Sequence, residues 1–119
     1  MNILGSDKAM AAMEHALRGL ELRRNVIANN VANSETPGFR ASRVDFETAL
    51  RRAIDRDDFE GDLGTSAVSH TADPAGINGN NVRIELELTD MVRTNLLQDI
   101  MVNTYNSKLE MIKSAIGAR

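Results

Sequence analysis

Asn25-Val-Ile-Ala-Asn-Asn-Val-Ala-Asn-Ser-Glu-Thr-Pro-Gly-Phe39 joins a helical pattern to an abrupt stop, and the chain reads outward from it in both directions. Upstream, apolar residues recur at Met10, Met13, Leu17, Leu20, Ile27 and Val31 in alternating steps of three and four, with Arg24 in one slot. That is a heptad seam on one long helix from about Ser6 to Asn33, with Ser6 and Asp7 as candidate caps. At about 1.5 Å per residue such a helix runs roughly 40 Å, which a chain of this size accommodates only if something packs along its length. Downstream, Pro37 disfavours the helical conformation at Thr36, and Gly38 permits a tight turn, so the helix must end here. Asn25, Asn29 and Asn33 lie four apart on one face, with Asn30 beside them. Asn is a poor helix-interior residue because its side chain competes for backbone groups. The line of amides therefore reads either as a frayed helix end or as a face hydrogen-bonded to another chain.

Beyond the turn, Asp45 is a plausible cap for a short second helix that places Phe46, Ala49, Leu50, Ala53 and Ile54 on one face. From Asp55 to Asn80 turn formers and charges dominate without a period, which predicts a long mobile loop or a weak hairpin. Val82, Ile84, Leu86 and Leu88 alternate with charges as in a strand. A helix from about Glu85 to Ile116 is the favoured reading, since Glu, Leu and Met form helices well and no turn signal intervenes. Along it Val102, Tyr105, Leu109, Ile112 and Ile116 step by three and four, Leu96, Leu97, Ile100 and Met101 broaden the stripe, and Gly117 ends it. The expected fold is all-α. Long N-terminal and C-terminal helices pack as a coiled-coil-like hairpin, with a short second helix and a mobile, weakly structured middle. The corresponding segments are 1–33, 34–56, 57–80 and 81–119.

Composition narrows the function. The 119 residues carry 14 Lys and Arg against 17 Asp and Glu, a formal charge of −3, with 3% aromatic residues and no Cys or Trp. Leu, Ile, Val and Phe make up 29 of the 119 residues, enough for an apolar stripe but not for a thick core. Absent Cys excludes disulfides, a thiolate nucleophile and Cys-based zinc sites. The acidic balance argues against a nucleic-acid partner, and the arginines Arg40, Arg43, Arg51, Arg52 and Arg56 are interleaved with acids, as on an ion-paired helix surface. No run approaches the ~18 apolar residues of a membrane span, and the N-terminus lacks the basic start and apolar run of a secretory signal. The acidic run at Asp55, Asp57, Asp58, Glu60 and Asp62 fails the calcium-loop spacing, because Phe59 and Glu60 occupy the fifth and sixth slots. His15 and His70 form no metal pair. No catalytic constellation, metal site or cofactor site emerges, and the residues alone also admit a small soluble helical-hairpin adaptor.

The segment Ala28-Asn-Asn-Val-Ala-Asn33 followed by Thr36-Pro-Gly-Phe39 resembles the N-terminal signature of the bacterial flagellar rod and hook family. Its short middle resembles that of the family's proximal rod subunit, as do Arg43-Val-Asp-Phe-Glu-Thr-Ala-Leu50, Gly79-Asn-Asn-Val82 and Leu109-Glu-Met-Ile-Lys-Ser-Ala-Ile116. The resemblance implies a structural subunit that pairs its terminal helices and stacks helically into a hollow periplasmic rod. It further implies export by the flagellar type III apparatus without a cleaved signal peptide. The implied partners are copies of the chain, other rod subunits, the basal-body adaptor FliE and the export gate. On that footing Asn25, Ala28, Asn29, Asn30, Val31, Ala32, Asn33, Thr36, Pro37, Gly38 and Phe39 are expected to shape a subunit contact. Phe46 and Leu50 resemble a hydrophobic motif that docks early substrates at the export gate; the same i,i+4 pair also suits simple helix packing. The two heptad seams are expected to serve helix and subunit packing.

Overall fold

The computed structural model describes residues 3–59 and 67–117, with side chains from residue 7 onward. Two long helices, α1 (Ile3–Ala32) and α3 (Ile84–Gly117), are joined through β1 (Ser42–Val44), the short helix α2 (Phe46–Arg56) and β2 (Val68–His70). Tyr105 Oη donates to Glu14 at 2.8 Å, Gln98 Nε2 to Glu21 at 3.4 Å, and Asn30 Nδ2 to Glu87 at 3.0 Å. Numbers rise along α1 as they fall along α3, so the long helices are antiparallel. The result is an elongated body of 67 × 27 × 14 Å.

α1 begins at Ile3, upstream of Ser6 and Asp7, so neither caps its first turn. The α-helical reading of the 82–88 stretch holds, with α3 starting at Ile84. Asp45 caps α2 as its position suggests: its carboxylate accepts from Thr48 N at 3.2 Å and from Thr48 Oγ1 at 2.8 Å. These hydrogen bonds also hold the Asp45 carboxyl below the usual carboxylate range. Of the segment expected to be a loop or weak hairpin, residues 60–66 lie outside the described residues. Its later part pairs with β1, with Ser42 opposite His70, Arg43 opposite Ser69 and Val44 opposite Val68 in antiparallel register. The partner strand comes from 24 or more residues earlier in the chain, a separation that local turn signals do not reveal.

The core is thin and sits where α1 meets α2 and the strand pair. Ala16, Leu20, Val44, Phe46 and Ala67 are buried together, with Leu22, Val26, Ala49, Leu50, Val68 and Met101 packed around them. Phe46 lies so close to α1 that a Cβ at Gly19 would overlap its ring. That close approach explains a glycine in the middle of a long helix, where it costs about 1 kcal/mol relative to Ala. Arg23 then covers the ring's outer face, its guanidinium carbon 4.6 Å from the centroid.

His15 is buried at 3% exposure, its ring meeting Phe59 edge-on at 6.3 Å, and its Nδ1 has no hydrogen-bond partner among the described residues. Burial, and secondarily the charge of Arg18, pushes its pKa below the ordinary 6.5. The unfolded chain therefore binds the proton more tightly, and protonation favours unfolding. Stability is expected to be full above pH 6.5 and to fall as the pH drops from there toward the lowered folded-state value. Denaturant midpoints of the parent and His15→Leu chains, compared between pH 7.5 and 5, check this. Equal pH slopes in the two chains would refute it.

Candidate functional site

The signature turn after α1 is held by side-chain amides acting as backbone. Asn30, fully buried, donates from Nδ2 to the Ser42 carbonyl at 2.9 Å and accepts at Oδ1 from the Ser42 N–H at 3.0 Å. Its amide thus pairs with β1 as a neighbouring strand would, on the edge that β2 leaves open. Two helical turns earlier, Arg23 Nη2 donates to the Val44 carbonyl at 2.6 Å on the same edge and to Glu47 at 2.7 Å. An open strand edge otherwise invites pairing with foreign chains; here α1 covers it.

The second hydrogen of the Asn30 amide goes to Glu87 Oε2 at 3.0 Å, while Arg43 Nη1 donates to Glu87 Oε1. Glu87 has no exposed surface, yet both its oxygens are partnered and it lies in the first turn of α3, where the helix dipole favours a negative charge. A buried carboxylate is costly unless paired and hydrogen-bonded in this way. One amide therefore ties α1 to β1 and to the start of α3.

The loop before α3 closes the same junction. Asn80 Nδ2 donates to the carbonyls of Asn33 and Thr36, both at 2.8 Å, as a second donor beside the N–H groups of Thr36 and Phe39. Its Oδ1 accepts from Val82 N at 2.8 Å. Asn81 Oδ1 accepts from Ala41 N at 2.6 Å, and its Nδ2 donates to Asp73 O at 3.2 Å. Thr36-Pro37-Gly38-Phe39 is a tight turn in which Phe39 N donates to Thr36 O at 3.2 Å. Gly38 takes a positive φ of 74°, as the third residue of a type II turn requires. Gly79, φ 79°, stacks on it so closely that a Cβ would lie 3.3 Å from the Gly38 Cα.

The signature residues thus divide. Asn30, Asn33, Thr36, Gly38 and Phe39 join the junction, Asn33 also donating from Nδ2 to Asn29 O at 2.8 Å. Asn25, Ala28, Asn29 and Ala32 are exposed on the other side of α1, Pro37 is exposed, and Val31 is half-buried. Along α1, Leu20 and Ile27 are buried and Met10, Met13 and Leu17 half-buried. Along α3, Tyr105, Leu109 and Ile112 are half-buried, whereas Val102 and Ile116 are 40% and 69% exposed. The line of α3 turned from solvent runs instead through Glu87, Met91, Thr94, Gln98, Met101, Tyr105, Lys108 and Ile112. This heptad line is largely polar, because Asn30, Glu21 and Glu14 on α1 supply its partners. In consequence, the aliphatic residues of α3 face outward: Leu88, Val92, Leu96 and Ile100, four apart, are 52%, 68%, 59% and 51% exposed. Phe46 is buried and Leu50 half-buried. Asn80 and Asn81 figure in the sequence only within the Gly79-Asn-Asn-Val82 resemblance, with no role attached, and Glu87 is not among the expected site residues. The doublet after Gly79 resembles any turn, and Glu87 sits in an alternating run that reads as surface.

Comparison with known proteins bears on the same region. Residues 10–40 match the family described as flagella basal body rod protein. The chain is similar to the flagellar basal body rod protein FlgB of Borrelia hermsii, 33% identical over 105 residues that cover 71% of this chain and 77% of that one. It is 29% identical over 125 residues to FlgB of Aeromonas hydrophila, covering 92% and 93% of the two chains. It is also 27% identical over 115 residues to FlgB of Bacillus subtilis, covering 87% and 89%. No helix among the described residues is long and apolar enough to cross a membrane.

Asn30 and Asn29 are adjacent in the signature but have opposite surroundings, which separates folding from surface roles. Asn30→Ala leaves the Ser42 N–H and a Glu87 oxygen unpaired and is expected to cost about 2–4 kcal/mol. Asn29→Ala is expected to be neutral or slightly stabilising through helix propensity. Chemical denaturation followed by circular dichroism measures both; equal stabilities would show that the junction does not depend on Asn30.

Proposed function

The chain belongs to the FlgB family of flagellar basal body rod proteins, and on that premise we propose that it is a proximal rod subunit that polymerises helically into the hollow drive shaft. The observation that carries this reading is the exposed aliphatic line on the outer face of α3, Leu88, Val92, Leu96 and Ile100. A contiguous apolar face on a small, thin-cored chain marks a surface for a partner to cover. Copies of the chain and neighbouring rod subunits are the proposed cover, with the adaptor FliE at the membrane-proximal end. The exposed Asn25, Ala28, Asn29 and Ala32 add a second contact face on α1. Contacts of this head-to-tail kind do not close on themselves and produce a tube or filament. In a strain whose only copy carries Leu88→Glu and Leu96→Glu, the purified chain is expected to keep its helix content. It should nevertheless be missing from isolated basal bodies, and the cells should not swim. Normal incorporation would overturn the assignment of this face.

Export through the flagellar type III apparatus completes the proposal, with Phe46 and Leu50 docking at the gate. Phe46 is buried against Gly19 in the folded chain, so this docking belongs to the unfolded chain before assembly. Phe46→Ala with Leu50→Ala is expected to reduce export by an order of magnitude or more, read as chain retained in the cytoplasm of a strain lacking rod assembly. Undiminished export with altered assembly alone would leave the pair a packing contact only.

A further inference from the structure

A groove of about 360 Å³ lies between α1, β1 and α3, beside the buried Glu87 junction but outside it. Its apolar lining comes from Val26, Ile27, Val44 and Leu97, and three arginines, Arg23, Arg43 and Arg93, stand around it. They are unequally committed. Arg23 is held by Glu47 and the Val44 carbonyl, and Arg43 by the buried Glu87. Among the described residues Arg93 reaches only a loose pair with Asp90 at 3.8 Å, and its side chain is 69% exposed. The groove therefore offers an apolar floor whose lip sets three arginines against two carboxylates, Glu47 and Asp90, with Arg93 the most loosely paired of the arginines.

The outer face of α3 has the complementary form. Leu88, Val92 and Leu96 project from its N-terminal half, flanked on either side by Glu85 and Asp99, both exposed. Helical spacing sets Val92 and Leu96 on the side of α3 opposite Thr94, the buried residue that lines the groove. Ridge and groove thus face different directions on one molecule and cannot meet within it. The geometry points to a heterologous contact between copies of this chain, in which the Leu88–Val92–Leu96 ridge of one enters the Val26–Val44–Leu97 groove of the next. Arg93 then answers one of the two carboxylates, Glu85 or Asp99, that flank the incoming ridge. This deepens the rod-subunit reading and rests on it, since it names which two surfaces stacking would join. A stable two-body interface takes about 800 Å² from each partner. A groove that accepts a few side chains offers less, so the contact is weak between two free copies and strengthens on repetition.

The absence of native Cys allows a direct test. Two differently tagged chains, one with Val92→Cys on the ridge and one with Glu47→Cys at the groove, are mixed and mildly oxidised, both purified and in isolated basal bodies. A mixed disulfide dimer is expected, with little product from either variant alone. Arg93→Glu in the groove chain is expected to cut its yield about tenfold, and Glu85→Arg with Asp99→Arg in the ridge chain to restore it. Circular dichroism of each variant checks that it is folded. Cross-linking of Val92→Cys to itself, or only to a different basal-body protein, overturns the assignment, as does no mixed product in either preparation. The presence of the chain in the same basal bodies is scored separately. The docking geometry can therefore fail while the rod assignment stands.

Discussion

The primary amide of Asn30 is the constraint on which the rest depends. A side-chain amide has the donor and acceptor geometry of a peptide group, and here it is used as one, bonding both the N–H and C=O of Ser42 and then Glu87. Because it is anchored on a helix, it fixes the distance and angle at which β1 crosses α1. Its remaining hydrogen fixes where α3 begins. Asn80 and Asn81 repeat the device from the loop before α3, serving backbone groups of residues 33, 36, 41 and 73. A buried network of this kind is stabilising only when every member is satisfied, and here Arg43 supplies the last partner to Glu87.

That arrangement dictates what α3 does with its aliphatic residues. The face that meets α1 must begin with Glu87, and the heptad spacing then carries Thr94, Gln98, Tyr105 and Lys108 along the same line. Most of its Leu, Ile and Val residues are left on the outside. The modest share of large apolar residues in the composition is thus spent twice: sparingly on a core around Phe46 and Leu20, and more openly on an outer face. For a member of a rod-protein family this is a coherent division, since a subunit of an assembly can complete its apolar burial against neighbours.

The long helices, the stop at Pro37-Gly38 and the Asp45 cap were legible because each rests on local rules: periodicity, forbidden backbone conformations and short-range hydrogen bonds. The heptad seam of α1 identified Leu20 and Ile27 for the same reason. Along α3 the apolar pattern pointed to Val102 and Ile116, yet the structure turns Met101 and Lys108 inward beside Tyr105 and Ile112. Apolar residues border α3 on several sides, so periodicity alone could not choose the inward one. The β1–β2 pair escaped notice because a three-residue strand carries too little pattern to register. In the signature, the amides could be read as a frayed end or as a face hydrogen-bonded to another chain, and Asn30 is neither, since its amide bonds Ser42 and Glu87 of its own chain.

The sequence by itself determined the helical architecture, the position of the turn and the family, because these follow from residue order over a few turns of chain. Only the tertiary structure decided which amide is buried and which is exposed, why Gly19 must lack a side chain, and which face of α3 is left exposed. Those outcomes depend on contacts between residues such as Asn30 and Glu87, 57 positions apart, whose pairing no local spacing specifies.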